Sequence, residues 1–178
     1  MTPNLTTGQY DVLAVDMRSP ANAAVLGVWL ANNDDQAIAG WYNQVVTGVW
    51  AWRTSLLKSE IVGQVSPDAT SWSWTTYIAR SQAERDGWRE MFTAGGFGGQ
   101  ETINPSLLNI RQGIADIFSG VSGAAQRTHL LAIARRQMTR VEQVFATGLG
   151  TTVAPSTIAT EGPLTYLEVA RALRNVGV

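Results

Sequence analysis

The amino-acid sequence predicts an all-α protein, a helical bundle of about six helices with extended loop and arm segments. Two observations indicate this fold class. Apolar residues recur at helical spacing through most segments, and no series of short runs alternates apolar with polar side chains as sheet strands would. The clearest helical spacing lies within residues 123–146, where apolar residues follow at intervals of four, four, three and four. These residues are Leu130, Ala134, Met138, Val141 and Phe145.

Three helices are predicted near the N-terminus, over residues 4–17, 21–31 and 35–46. Thr6 or Thr7 can cap the first of them, because a threonine hydroxyl accepts hydrogen bonds from the free N–H groups of a helix start. Ser19 and Pro20 favour a second start, since serine is a common N-cap residue and proline fits the first helical position. The sequence "NNDD" at residues 32–35 then breaks the apolar pattern and supplies the third cap.

The segment "VWAWRTSLLK", which begins at Val49, fits two structures. One face of a helix would carry Trp50, Arg53, Leu56 and Leu57. Val49, Ala51 and Arg53 would instead alternate along a strand. Both alternatives stay open at this point.

The middle of the chain combines a short helix, a turn, a long helix and a loop. The sequence "SEIVGQ" is expected to form the short helix, and Ser-Pro-Asp at residues 66–68 is a turn signal. The long helix is predicted over residues 71–92. Residues 93–104 follow, and their glycines predict a flexible loop of functional interest.

Two further helices precede the C-terminal part of the chain. The first begins at Pro105 and stops at Gly120. The second is the longest predicted helix, over residues 123–146, and Gly148 stands where a C-terminal cap glycine belongs.

The predicted domain organisation is a helical body over residues 1–148, followed by an arm and a last helix over residues 149–178. The arm, residues 149–163, is expected to be extended, with the sequence "GTTVAPST" within it. Thr165 is expected to cap the last helix, over residues 166–175.

The composition limits the possible functions. Hydrophobic residues make up 45% of the 178 residues and charged residues only 15%, against about 25% in a typical soluble domain. Coverage of the surface by partners and a composition rich in small residues explain this equally well. The net charge of −1 gives no general attraction to nucleic acid or anionic membranes. The chain has no cysteine, which excludes disulfides and thiolate metal sites, and neither a secretory signal nor a membrane-spanning run is expected.

Tryptophan is unevenly placed, because all seven tryptophans lie in the first half of the chain. Four of them, Trp50, Trp52, Trp72 and Trp74, are candidate interface residues. Tryptophan in such clusters usually anchors a core or an interface. Stacking on bases or sugars is the alternative.

A second candidate interface lies near the end of the long predicted helix. At about 100° per residue, His129, Arg136 and Arg140 would fall within one narrow sector and form a basic ridge. Gly148 and Gly150 follow it and belong to the same candidate surface. Contact with a partner and a simple solvated face fit this pattern equally. Nucleic-acid binding fits it less well, since no continuous basic patch with interleaved aromatic residues is present.

A catalytic, cofactor-binding or metal-binding function is not expected. His129 is the only histidine, which excludes a site with several histidine ligands. The carboxylates of Glu84, Asp86 and Glu90 are crowded on one predicted helix beside arginines, which favours intrahelical pairing. The sequences "GGFGG" and "GLGTT" lack the Lys-Ser/Thr ending of a phosphate-binding loop. No G-x-S-x-G nucleophile motif is present.

Five stretches carry a resemblance to known proteins. They are "LTTGQYDVLAVDM", "IAGWYNQ", "VWAWRTSL", "INPSLLNIRQGIADIFSGVSGAAQRTHLLAIARRQMTRVEQVFATGLGTTVAPST" and "EGPLTYLEVARAL". In this order they resemble an uncharacterised structural protein family that tailed bacteriophages and prophages encode near their head and tail genes. The most specific motif is Arg-x-Glu-x-x-Phe-Ala-Thr-Gly, which runs here from Arg140 to Gly148.

The resemblance implies a virion component similar to head-to-tail connector (adaptor or neck) proteins, made in the bacterial host cytoplasm. Such adaptors form a ring, commonly dodecameric, beneath the portal. The implied partners are other copies of the chain, the portal protein and other neck or tail proteins, with non-specific contact to genomic DNA in the channel and none to a membrane. Arg136 and Arg140 would then contact neighbouring subunits, and the arm would order on assembly. The alternatives are a tail-completion protein, another neck protein or an assembly factor, then a DNA-binding packaging factor or a small hydrolase.

Overall fold

The computed structural model describes residues 5–63, 72–95 and 101–174. It is 57% helical with 14% in strands, so the fold is mixed α/β and the all-α prediction is wrong. The described strands form three two-stranded sheets. Most of these strands are two residues long, too short to produce a recognisable alternation of apolar and polar residues.

Helices and strands are interspersed along the described residues. The helices are α1 (Thr7–Met17), α2 (Ala23–Ala31), α3 (Asp35–Tyr42), α4 (Lys58–Gly63), α5 (Trp74–Ile78), α6 (Gln82–Gly95), α7 (Leu108–Ile117), α8 (Gly120–Ile133), α9 (Arg140–Val144) and α10 (Tyr166–Arg174). The strands are β1 (Val45–Trp52), β2 (Leu56–Leu57), β3 (Thr102–Ile103), β4 (Arg135–Thr139), β5 (Ala146–Thr147) and β6 (Thr157–Ile158).

The chain folds into two compact units. The first unit contains the residues up to Ala51 together with those from Gln137 onward, and the second unit contains the continuous segment Trp52–Arg136. The division predicted from the sequence lies after residue 148, at a different point of the chain.

The first unit is built on α10, against which α1 and α3 both pack, around a common apolar core. Leu13, Met17 and Ile38 are fully buried in it. Thr6 begins α1 with a capping box, in which its hydroxyl accepts from the N–H of Gln9 and its own N–H donates to the Gln9 side chain. The predicted cap at this helix start is therefore confirmed.

A small sheet region completes the first unit. β5 pairs antiparallel with β6, and β1 pairs with β4. The loop between β5 and β6 also lies against β1: the N–H of Trp50 donates to the carbonyl of Gly150 at 2.8 Å, and the N–H of Ser156 donates to the carbonyl of Trp50 at 2.9 Å. Ser156 and Ile158 are buried, so this part of the predicted arm is packed into the first unit.

The second unit holds an aromatic core. Trp72, Trp88, Phe92 and Phe118 are nearly or fully buried and touch one another edge to face or stacked. In this unit α6 packs against α7, and α7 packs against α8. The short sheet β2–β3 closes the core, with Leu56 paired to Ile103.

The prediction of one long helix over residues 123–146 is wrong. The structure divides it into α8, β4 and α9. Met138, predicted to lie on the apolar face of this helix, instead packs from a strand into a small core with Ala51 and Ile158. Thr139 then starts a new helix through a second capping box with Glu142. Since β4 pairs with the distant strand β1, no local pattern could reveal it.

The predicted helix over residues 71–92 is also interrupted. α5 ends at Ile78 and α6 begins at Gln82. At the start of α6 the hydroxyl of Ser81 accepts from the N–H of Glu84, and the N–H of Ser81 donates to the Glu84 carboxylate. The predicted turn at residues 66–68 and residues 96–100 of the glycine-rich loop lie outside the described residues.

None of the described helices combines the length and apolarity needed to cross a membrane.

Candidate functional site

The first unit contains an open polar pocket of about 370 Å³. It is lined by the end of α1 with the residue before α2, the end of α3, the start of β1, and α9. The side chains that define its chemistry are Asp16, Asn22, Trp41, Tyr42 and Arg140. Because these residues are far apart in sequence, only the packing of α1, α3 and α9 brings them together.

Asp16 is held in place by two donors. The hydroxyl of Tyr42 donates to Asp16 Oδ2 at 2.5 Å, and the amide of Asn22 donates to the same oxygen at 3.2 Å. The Asn22 amide also donates to the carbonyl of Asp16 at 2.9 Å. The carboxylate therefore has a fixed orientation at the pocket wall.

Tyr42 is fully buried and acts as a donor to Asp16. Burial raises the pKa of the Tyr42 phenol far above its ordinary value of 10.0, and the adjacent Asp16 carboxylate raises this pKa further. The phenol of the folded protein is thus neutral at neutral pH and also at pH 10.0, its ordinary pKa.

We expect Tyr42 to release its proton only when the protein unfolds in alkali. A raised pKa in the folded state contributes stability that is present below pH 10 and is lost as the pH rises above it. Phenolate absorbance of the wild-type protein minus that of the Tyr42→Phe variant should show no Tyr42 signal until unfolding. The variant should lose about 1–2 kcal/mol of stability at neutral pH. Tyr166→Phe, at an exposed position, is the control, and ionisation of Tyr42 near pH 10 in folded protein would contradict the expectation.

Arg140 is fixed at the other side of the pocket. Its guanidinium lies over the Trp41 ring, 4.4 Å from the ring centroid. Its Nη1 donates to Gln44 Oε1 at 2.7 Å and to the Trp41 carbonyl at 3.4 Å. A stacked and hydrogen-bonded arginine loses little further conformational entropy when it binds a ligand.

The prediction that His129, Arg136 and Arg140 form a basic ridge on one helix is wrong. His129 is buried on α8, Arg136 is half-buried on β4, and Arg140 is the first residue of α9. Their predicted alignment requires a continuous helix that the structure does not contain. Of the three, Arg140 alone lines the described pocket.

The four candidate tryptophans have different environments. Trp72 is only 2% exposed and belongs to the aromatic core, so it is not available to a partner. Trp50 and Trp52 are half-buried on β1, and the Arg111 guanidinium lies 4.7 Å from the Trp52 ring centroid. Trp74 is 50% exposed and is the candidate that best fits an interface.

The two candidate glycines stand where the backbone has a positive φ angle and leaves little room for a side chain. Gly148 and Gly150 have positive φ angles of 122° and 66°. A Cβ at Gly150 would lie 3.1 Å from Val49 Cγ1, and one at Gly148 would lie 3.2 Å from Ser156 Cα. Glycine at these positions lets the loop between β5 and β6 lie close to its neighbours in the first unit.

Replacing Gly150 by alanine should destabilise the first unit by about 1–3 kcal/mol, because the new side chain would combine a left-handed backbone with a tight contact. Thermal unfolding followed by circular dichroism checks this. Gly40→Ala is the matched control: its site on α3 has nothing within 4 Å of an added Cβ, so this change should be neutral or slightly stabilising. Equal melting temperatures for the two variants would contradict the expectation.

Sequence reasoning identifies Arg140 but misses Asp16, Asn22 and Tyr42. No spacing rule connects these positions with Arg140, since a separation of up to 124 residues, from Asp16 to Arg140, is closed only by tertiary packing. A capping-box pattern at Thr139 and Glu142 is the one local signal that Arg140 begins a new helix.

The pocket presents a guanidinium and a carboxylate that a buried phenol holds in place, a set suited to binding a polar ligand. The described residues contain no group of three or more acidic, histidine or cysteine side chains that could hold a metal ion. Comparisons with protein-family models, with curated proteins and with solved structures gave no significant match, so they assign the chain to no family.

Proposed function

We propose that the protein is a structural subunit of a tailed-bacteriophage virion, placed in the neck as one copy of a ring beneath the portal. The observation that carries the proposal is the presence of large exposed apolar side chains on both units. The placement in a phage neck comes from the resemblance of the five quoted stretches to phage proteins encoded near head and tail genes. This resemblance rests on those stretches alone.

In the first unit, exposed valines occur in pairs on two helices. Val12 and Val15 lie three residues apart on α1, and Val25 and Val28 do so on α2. Residues three apart share one face of a helix. Each helix therefore presents an apolar strip to the surroundings.

In the second unit, Trp74 and Ile78 are exposed on one face of α5, and Val121 near the start of α8 is 96% exposed. α5 packs against α8. Exposed tryptophan and aliphatic side chains at this density are typical of surfaces that bind another protein.

A ring suits this arrangement, because each copy must offer two different contact surfaces to its two neighbours. A subunit with an apolar surface on each of two units meets that requirement. The low fraction of charged residues, 15% of the chain, is also compatible with a surface that assembly covers in large part.

Quantitative mass spectrometry of purified virions tests the proposal. We expect roughly a dozen copies per particle, as in a closed ring. Hundreds of copies would instead indicate a capsid or tail-tube protein, and none would indicate an assembly factor. Either result would overturn the proposal.

A complementation assay adds a residue-level test. Trp74→Ala should keep the fold, since half of this side chain is exposed, but should reduce incorporation into particles. Val153→Ala, at a 90% exposed loop position outside both apolar surfaces, is the control. Full incorporation of the Trp74→Ala protein would argue against α5 as a contact surface.

A further inference from the structure

We infer that the pocket formed by α1, α3 and α9 binds an acidic residue of a partner polypeptide. The carboxylate of that residue would lie against Arg140, and an adjacent backbone N–H would lie against Asp16. The inference rests on the proposed function in one respect, the choice of a polypeptide as the source of the ligand.

Only part of the hydrogen-bonding capacity of the Arg140 guanidinium is satisfied by the described residues. Nη1 donates to Gln44 and to the Trp41 carbonyl. Nε and Nη2 make no side-chain hydrogen bond with any described residue. The planar guanidinium thus keeps donors for an acceptor, and a carboxylate matches such a donor pair with two parallel hydrogen bonds. Trp41 covers one face of the group and limits its motion.

Asp16 makes the pocket unsuitable for a simple anion. Its Oδ2 accepts from Tyr42 and Asn22, while Oδ1 accepts from no described residue. Among the described residues, Asp16 and Arg140 do not form an ion pair with each other. A bound phosphate or acetate would therefore face an uncompensated negative charge, whereas a ligand that also offers an N–H would satisfy it.

An acidic residue within a peptide supplies both groups at once. Its side chain carries the carboxylate, and the backbone N–H groups on either side of it lie a few bonds away. A volume of about 370 Å³ accommodates one such side chain with its flanking backbone, at the lower end of the range of about 300–1,000 Å³ for ligand pockets. The neutral Tyr42 keeps the Asp16 carboxylate oriented when the ligand binds.

Solution NMR with short blocked peptides tests the inference. The probe is acetyl-Gly-Glu-Gly-amide at millimolar concentration, with acetyl-Gly-Gln-Gly-amide, acetate and inorganic phosphate as comparison ligands. We expect saturable shifts of the Trp41 indole and Arg140 Nε signals with the glutamate peptide. The glutamine peptide should bind at least about tenfold more weakly, since it lacks the charge that strengthens hydrogen bonds to arginine.

Three variants define the expected pattern. Arg140→Gln should weaken peptide binding about tenfold or more, and Arg140→Lys should recover part of the loss because it keeps the charge without the planar donor pair. Arg171→Gln is the matched control: Arg171 also stacks on an aromatic ring of the first unit, 4.7 Å from the Tyr10 centroid, but does not line the pocket. Its peptide binding should be unchanged.

The direction in which Asp16→Asn changes the affinity for the glutamate peptide decides between a peptide site and a simple anion site. We expect it to weaken binding of the glutamate peptide several-fold, because the acceptor for the backbone N–H loses its charge. Stronger binding of the peptide to this variant, or equal binding of acetate and peptide to the wild type, would show a simple anion site and overturn the inference. Absence of any shift at Trp41 and Arg140 would also overturn it. These results do not depend on virions, so they are distinguishable from a failure of the copy-number test.

Discussion

Replacing Gly123 by alanine is expected to destabilise the second unit by about 3 kcal/mol, near the upper end of the usual range for overpacking. A Cβ at this position would lie 2.3 Å from the carbonyl oxygen of Phe118 and 2.5 Å from its carbonyl carbon. The obstacle is backbone, so it cannot rotate away as a side chain would. Phe118 is the C-cap residue that follows α7, and Gly120, with φ of 72°, turns the chain directly into α8. The first turn of α8 therefore packs against the end of α7 too closely for any side chain.

Urea unfolding of the Gly123→Ala variant, followed by tryptophan fluorescence, measures this loss. The matched control is Gly27→Ala. Gly27 is also helical, on α2, but has nothing within 4 Å of an added Cβ. The control should gain up to about 1 kcal/mol, because alanine restricts the unfolded chain and favours the helix. Equal midpoints for the two variants would contradict the close approach of α7 and α8.

Trp88→Ala is expected to cost about 3–5 kcal/mol, the usual range for deleting a large buried aromatic side chain. Trp88 is 2% exposed. It stacks on Trp72 with 5.5 Å between ring centroids, and it meets Phe92 and Phe118 edge to face at 4.9 and 5.4 Å. Its removal would leave a cavity bordered by three other rings, which can collapse only in part.

The same unfolding measurement checks Trp88→Ala, with Trp74→Ala as its control. Both residues are tryptophans of the second unit, but Trp74 is half exposed. Its truncation should cost about 1–2 kcal/mol, clearly less than that of Trp88, since only about half of the side chain is buried. A Trp74→Ala variant as unstable as Trp88→Ala would show that Trp74 has a role in the core and would remove it from the proposed contact surface.

The N-terminal helices and the last helix could be predicted from the sequence. α1, α2 and α3 begin close to the predicted starts, and the cap at Thr6 is present. Thr165 likewise precedes α10, where its N–H and hydroxyl both donate to the Glu168 carboxylate. These features depend on residues within one helical turn, which is the range over which a sequence pattern is informative.

The strands could not be predicted in the same way, because each is defined by a partner elsewhere in the chain. Ala146 pairs with Ile158, and Leu56 pairs with Ile103. Met138 in β4 and Val141 in α9 continue the apolar spacing of α8, and this spacing predicts one continuous helix where the structure has a strand and a separate short helix. The apolar spacing correctly predicts that these residues are buried, but it does not predict whether the backbone that carries them is helix or strand.

The pocket shows the same limit. The sequence marks Arg140 as a candidate contact residue, but its companions Asp16 and Tyr42 stand in other helices and carry no shared motif. The orientation of the Asp16 carboxylate depends in large part on a hydrogen bond from a fully buried phenol. Such an arrangement is a property of the packed structure, and single-sequence reasoning has no means to find it.

The two units differ in when all of their segments become available during translation. The segment Trp52–Arg136 is continuous, so it can fold on the ribosome as soon as it has emerged. The first unit needs segments that lie on either side of the second unit in the chain, since α1 and α3 pack against α10. The helices α1 and α3 can therefore complete their packing only after α10 has left the exit tunnel, and until then their apolar faces are exposed to chaperones. A premature stop shortly before α10 would leave an intact second unit joined to unpartnered helices, a product prone to degradation.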